Sequence, residues 1–441
     1  MSYDMIALTM FSTMMLMLMT GQRVFGAIGF VATAAGLMLW GVGGEDIPFT
    51  AAMKLMKWYP LLTLPMFIFM GYVMSESRIA DDLYRMFHVW MGPVRGGLAI
   101  GTIALMVLIS AMNGLSVAGM AIGATIALPE LLRRGYDKIM VTGVIQAGSS
   151  LGILVPPSVV LVLYAMIARQ PVGQLWLAGV FPGLMMAGLF ALYIYLRCLV
   201  QPGLGPAMDR EEREAITMAE KLRLLRAGIL PIVIFLVMMV PFVKGWTSLV
   251  ESSAVGASAS FLAAVIKGRM TREVFETSVR QTLGISCMFM WIILAAMAFG
   301  AIFDGLGAVK SIENLFTEKL GLSPWMILIL MQLSFIVMGT FLDDTAMLVI
   351  VAPLYVPLVG ELGFDLIWYG VLYTITTQIA YMTPPFGYNL FLMRAMAPPE
   401  ISMRDIYRSI IPFVLVMVLA LAIVMIFPQI ALWLPEYIYG K

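Results

Sequence analysis

The chain has 441 residues, 61% of them hydrophobic and 12% charged, with a mean hydropathy of +0.95. A water-soluble domain cannot hide that much apolar side chain, so the composition describes a polytopic membrane protein. A net charge of +1 offers no basic surface for nucleic acid.

The first apolar runs, 5–20 and 23–40, are separated by Gly21-Gln22-Arg23. A single helix across 5–40 would be about 54 Å long against a hydrocarbon core of about 30 Å, so two spans are expected. The N-terminal run lacks the basic region and small-residue cleavage site of a secretory signal and reads as a first membrane helix. Further runs cover 60–77, 94–111, 115–132, 138–168 and 174–197. His88 falls in a charged, amphipathic connector, which suits an interfacial role. Cys198 and Cys287 lie inside apolar segments without the further ligands of a metal site. A polar stretch, 201–226, contains Pro202, Pro206 and a dense run of Asp, Arg and Glu. The second half repeats the order at 228–243, 247–266, 283–303, 324–339, 343–361, 366–393 and 409–434. The expected division is a first repeat over 1–200, a cytoplasmic linker over 201–227 and a second repeat over 228–441.

The repeat is visible in single residues. Pro129, Gly135, Asp137 and Pro156-Pro157 match Pro357, Gly363, Asp365 and Pro384-Pro385, all at one displacement. The pairs 94–111/115–132 and 324–339/343–361 are joined by a few polar or small residues. Each reads as two crossings or as one re-entrant hairpin. Treating both as re-entrant gathers the basic clusters at 78–95, 133–138, 210–226 and 267–280 on one face, the cytoplasmic one. Counting each hairpin as two crossings would split those clusters. The fold class expected is therefore an all-α polytopic membrane protein, each half with about five transmembrane helices plus one re-entrant helical hairpin. Five crossings is an odd number, so the repeat is inverted and both termini fall outside.

Four interruptions then converge near the bilayer midplane. Two are hairpin tips, around Ser110, Asn113, Gly114 and Ser116 and around Gly339, Asp343 and Asp344. Two are broken helices, at Gly152–Ser158 and at Tyr381–Gly387. Proline has no amide donor and clashes with the preceding turn, so consecutive prolines force a helix open. Irregular backbone at this depth requires protein, water or an ion to satisfy its carbonyls. Half-helix C-termini present partial negative charge suited to Na⁺, and N-termini present amides suited to a carboxylate. An Asp in the apolar region costs roughly 2.5–3.5 kcal/mol on insertion scales. For Asp343 and Asp344 helix capping and ion binding both account for that residue type. Asn389 and Gln378 are further polar residues near the second break.

These residues resemble the large membrane subunit, the DctM-like permease, of tripartite ATP-independent periplasmic (TRAP) transporters. The likeness rests on Asn113-Gly114, Pro129 with Gly135-Tyr136, and Leu151-Gly152 leading to Val155-Pro156-Pro157-Ser158. It continues through Ala178–Gly183, Gly339-Thr340-Phe341-Leu342-Asp343, and Thr383-Pro384-Pro385-Phe386-Gly387-Tyr388-Asn389-Leu390. It runs over about 5–434. The resemblance implies an elevator-type Na⁺ symporter of the bacterial inner membrane, working with a small four-helix membrane subunit and a periplasmic substrate-binding protein. The cargo would be a small organic anion, a carboxylate or sulfonate, with Na⁺ as coupling ion and no cofactor. By likeness one Na⁺ site would involve Ser110, Asn113, Gly114, Gly152, Val155 and Pro156. The other would involve Gly339, Asp343, Thr383 and Pro384. Ser116, Pro157, Ser158, Asp344, Pro385 and Asn389 are the expected substrate contacts. Leu115 and Gly119 depart from the hydroxyl-bearing residues common in relatives.

Two other readings compete. A stand-alone Na⁺- or proton-coupled dicarboxylate symporter or antiporter would need no binding protein. An intramembrane enzyme would need paired carboxylates or metal ligands, and the sequence carries neither a Gly-x-Gly-Asp partner for Asp343 nor a His-Glu-x-x-His motif. The protein is therefore not expected to be an enzyme.

Overall fold

A computed structural model describes residues 2–20, 22–77, 79–114, 116–208, 217–308, 310, 314, 321–339, 344–384 and 387–440. The described residues are helical, with no strand among them.

The first half contains α1 (Tyr3–Met19), α2 (Val24–Ala35), α3 (Asp46–Met56), α4 (Thr63–Glu76) and α5 (Ile79–Met91). These are followed by α6 (Gly97–Asn113), α7 (Ser116–Ile122), α8 (Leu128–Arg133), α9 (Lys138–Ser150), α10 (Val159–Ala168) and α11 (Val172–Val200). The second half contains α12 (Met218–Val243), α13 (Leu249–Ile266), α14 (Arg272–Gly305), α15 (Pro324–Gly339) and α16 (Asp344–Glu361). It ends with α17 (Leu366–Tyr381), α18 (Tyr388–Met396), α19 (Met403–Ile426) and α20 (Gln429–Tyr439). Among the described residues, α11, α12, α13, α14 and α19 are long and apolar enough to cross a membrane.

The run at 5–40 does divide, into α1 and α2, and α2 continues as a π-helical turn at Gly36–Trp40. The stretch 60–77 begins with a 3-10 turn, Tyr59–Leu62, before α4. Pro65 lies in the first turn of α4, where a missing amide is tolerated. The stretch expected to link the halves is helical from Met218, well ahead of the apolar run. Thr217 caps that end by accepting a hydrogen bond from the Glu220 amide at 3.3 Å.

The repeated sequence landmarks have a common structural cause. Gly135 has φ +78° and Gly363 has φ +79°, the left-handed conformation that ends a helix at little cost for glycine. Around them the backbone bonds match: Tyr136 N to Leu131 O and Phe364 N to Val359 O, each 3.1 Å. Asp137 then caps α9 through the Met140 amide at 2.9 Å, and Asp365 caps α17 through the Ile367 and Trp368 amides at 2.8 Å. Glycine stops one helix and aspartate starts the next, twice.

Packing repeats at the same displacement. Helix α9 packs on α6 and α19, as α17 packs on α15 and α11. Helix α4 packs on α13, as α14 packs on α2. The short helices follow suit, α10 against α16 and α18 against α7. Helix α4 also packs directly on α14, the element that carries its own displaced counterpart. Helices α9 and α17 are buried all round, with Thr142, Gln146, Ser149, Ser150, Thr374, Thr376, Thr377 and Gln378 inside. Their hydroxyls are largely absorbed locally, as Thr377 Oγ1 donates to Tyr373 O at 2.8 Å and Ser150 Oγ to Ala147 O at 2.7 Å.

The α9–α19 contact depends on a glycine. A Cβ at Gly143 would lie 2.5 Å from the Ser409 carbonyl oxygen and 2.6 Å from the Phe413 ring. Gly143→Ala is therefore expected to destabilise the protein by about 1–3 kcal/mol through overpacking. A lowered thermal midpoint of the purified protein checks this, and an unchanged midpoint would mean that the two helices separate freely.

Candidate functional site

The first broken helix opens where its prolines remove two amides. In a continuous helix the carbonyls of Gly152 and Ile153 would accept from residues 156 and 157, and Pro156 and Pro157 have nothing to donate. The chain leaves α9 through a 3-10 turn, Leu151–Ile153, and re-enters helix at Val159. The Pro156–Pro157 bond is cis. Ser158 repairs much of the damage: its Oγ donates to the Ile153 carbonyl and accepts from the Leu161 amide at 3.1 Å. The Ser158 carbonyl accepts from Trp176 Nε1 at 3.2 Å, which ties the start of α10 to α11. Every residue from Leu151 to Val160 is buried.

The first hairpin tip closes on this break. Gly114 has φ +62°, and its carbonyl accepts from the Val159 amide at 3.3 Å. A Cβ there would lie 2.2 Å from the Pro157 carbonyl oxygen, so the approach is open to glycine alone. On the other side, Gly179 of α11 leaves room for the Leu154 carbonyl, 2.5 Å from where its Cβ would stand. Gly114 and Gly152–Ser158 thus form one assembly.

The second break follows α17. Thr383 Oγ1 donates to the Ile379 carbonyl at 2.6 Å and its amide to Ala380 O at 3.0 Å, and α18 starts after Gly387. Gly339, the last residue of α15, meets this region closely, for a Cβ would lie 2.4 Å from the Ala380 Cβ. Thr383 is half-buried and Pro384 exposed. Asp343 and Pro385 lie outside the described residues, as do the side chains of Ser110, Asn113 and Asp344.

Two polar contacts join the breaks across the halves. Ser116, at the start of α7, donates through Oγ to Asn389 Oδ1 at 3.3 Å, and both residues are buried. Gln378 Nε2 donates to the Ser150 carbonyl at 2.8 Å. Among the described residues both amides keep a buried atom without a partner, Nδ2 of Asn389 and Oε1 of Gln378. Sequence reasoning placed Ser116 and Asn389 in the site but not against each other, and it named Gln378 only as a weaker candidate, without a partner. The displacement of the repeat, which superposes Gln378 on Ser150, was the signal for that contact. Three or more His, Cys, Asp or Glu side chains do not gather anywhere among the described residues. The oxygens available at the breaks are carbonyls and hydroxyls, hard donors of the kind that hold alkali and alkaline-earth cations.

Residues 11–430 match the family described as the tripartite ATP-independent periplasmic transporter, DctM component. The chain is 31% identical over 381 residues to the C4-dicarboxylate TRAP transporter large permease protein DctM of Pseudomonas aeruginosa, covering 86% of this chain and 87% of that one. It is 26% identical over 403 residues to the ectoine TRAP transporter large permease protein TeaC of Halomonas elongata, covering 91% and 92%. Among solved structures, the YdaH transporter of Alcanivorax borkumensis shares the fold, with a TM-score of 0.62 at 17% identity over 90% of both chains.

The Ser158 contacts define a stability test. Ser158→Ala removes an N-cap and the donor to Ile153, and is expected to cost about 1 kcal/mol, with Ser158→Thr retaining most of it. Thermal unfolding of the two purified variants reads the difference.

Proposed function

The chain belongs to the DctM component family of tripartite ATP-independent periplasmic transporters, and from that premise we propose that it imports a small organic anion by Na⁺ symport through an elevator motion of two inverted repeats. A large permease subunit of this kind is a membrane protein, and its cargo differs between relatives that carry C4-dicarboxylates and ectoine. A small four-helix membrane subunit and a periplasmic binding protein complete the system in the bacterial inner membrane, and both termini of this chain face the periplasm.

The observation that carries the reading is the pair of breaks, each closed upon by a hairpin end: Gly114 on Pro157, Gly339 on Ala380. At each break the helical register fails and carbonyl oxygens become available to a cation. One Na⁺ is assigned to Ser110, Asn113, Gly114, Gly152, Val155 and Pro156, and a second to Gly339, Asp343, Thr383 and Pro384. The anion lies between them, near Ser116, Pro157, Ser158, Asp344, Pro385 and Asn389, where Asn389 Nδ2, without a partner among the described residues, supplies a buried donor. Packing that repeats about α4 and α14 supports a two-fold relation between halves. An odd number of crossings per half makes that relation an inversion.

The physical sequence is electrostatic. Na⁺ satisfies the break carbonyls, orders the tips and neutralises the pocket, which lowers the cost of holding an anion there. The hairpins and broken helices then move as a block against α1–α4 and α12–α14. Each net positive charge carried inward gains about 2.3 kcal/mol per 100 mV of membrane potential, so several Na⁺ per anion make uptake concentrative.

Reconstitution in proteoliposomes with the small subunit and the binding protein tests the reading. Uptake of a C4-dicarboxylate or ectoine is expected only with an inward Na⁺ gradient and binding protein. Uptake without binding protein would favour a stand-alone symporter. Asp343→Ala should raise the Na⁺ concentration for half-maximal uptake about tenfold, equivalent to ~1.4 kcal/mol. An unchanged Na⁺ requirement would remove Asp343 from the ion site.

A further inference from the structure

One side chain joins the end of α17 directly to the end of α9. Gln378 is fully buried, three residues before the end of α17, and its Nε2 donates at 2.8 Å to the carbonyl of Ser150, the last residue of α9. Residues 378 and 150 are separated by 228 positions, the displacement of the repeat itself. Ser150 precedes Pro156 as Gln378 precedes Pro384. If a two-fold axis relates the halves, a residue touches its own counterpart only where that axis passes. The Gln378–Ser150 bond marks that point, and the pair is chemically unequal although its position is symmetric.

The bond acts on a particular group. The Ser150 carbonyl stands at the junction of α9 and the 3-10 turn Leu151–Ile153, of which Ser150 is the N-cap. Gln378 adds a second donor to it from the opposite half and so ties the end of α17 to the point where α9 enters its break. A rotation of the Gln378 amide reorients the end of α9 and the end of α17 together. Its Oε1, buried and without a protein partner among the described residues, leaves one arm of the amide uncommitted. Ser116–Asn389, the neighbouring cross-link, joins α7 to α18.

We infer that Gln378 is a positioning residue that couples the two breaks, so that occupation of one by a cation pre-orders the other. The inference rests on the proposed pair of Na⁺ sites and adds that they fill cooperatively through this amide. With two coupled sites the Hill coefficient for Na⁺ approaches about 2, and with the coupling removed it falls to about 1. Loss of a merely structural contact would lower stability and leave that steepness unchanged.

The test is Na⁺ binding to the purified full-length chain with its small subunit in nanodiscs, by calorimetry, with choline chloride holding ionic strength constant. The wild-type isotherm is expected to be sigmoidal, and that of Gln378→Leu hyperbolic. Gln378→Glu is the second arm should the leucine variant fail to fold. Its carboxyl donates to Ser150 O only when protonated, so the steepness should be low at high pH and recover as pH falls. A Gln378→Leu isotherm as steep as wild type would overturn the inference, as would pH-independent steepness in Gln378→Glu or a hyperbolic wild-type isotherm. Absence of Na⁺ binding to the wild-type protein would overturn the proposed function as well, which separates the two failures.

Discussion

Backbone satisfaction governs this molecule. In a hydrocarbon surround there is no water to take a carbonyl that the helix has abandoned, and each unsatisfied group costs several kcal/mol. Two consecutive prolines in α9–α10 create that situation by removing donors that the carbonyls of Gly152 and Ile153 would have used. The surrounding structure answers with specific groups. Ser158 takes one carbonyl, Trp176 takes the Ser158 carbonyl, and the Val159 amide reaches across to Gly114. These partners come from three different segments, so the broken helix cannot form without its hairpin and without α11.

Glycine appears in the places where that closure needs backbone contact. Gly114 and Gly179 admit carbonyls at distances that any Cβ would obstruct. Gly339 plays the corresponding part in the second half, against Ala380. Small residues in membrane helices are commonly read as packing devices. Here they also bring tips and breaks close enough to share one environment. The polar atoms of the break are thus held in place by bonds from other segments.

The buried polar seam along α9 and α17 adds a second layer. Gln146 Nε2 donates to Ser409 at 3.1 Å, and Gln332 accepts from Thr376, so carboxamides link the broken helices to their neighbours. Most of the seam's hydroxyls return to their own helix, which makes the cross-half bonds at Asn389 and Gln378 stand apart. Those two amides connect elements that lie far apart along the chain. They tie the break regions of the two halves together, beside other cross-half bonds such as Gln146–Ser409 and Tyr164 to the Leu366 carbonyl.

The helices were legible in the sequence because apolar run length and proline position are local properties. Runs at 5–20, 174–197 and 247–266 became α1, α11 and α13, and the repeated Gly-x-Asp turns became matched helix ends. The diproline positions told where helices break, since a missing amide is written in the residue itself. What stayed hidden had tertiary causes. The start of α12 at Met218 depends on the Thr217 cap, not on apolar length. The partners of Ser116 and Gln378 could not be read, because a hydrogen bond across hundreds of residues is chosen by which helices pack together. Local chemistry thus set the order of these helices and the places where they break. The folded arrangement alone decided which tip closes which break, because only there do the orphaned carbonyls meet donors from other segments.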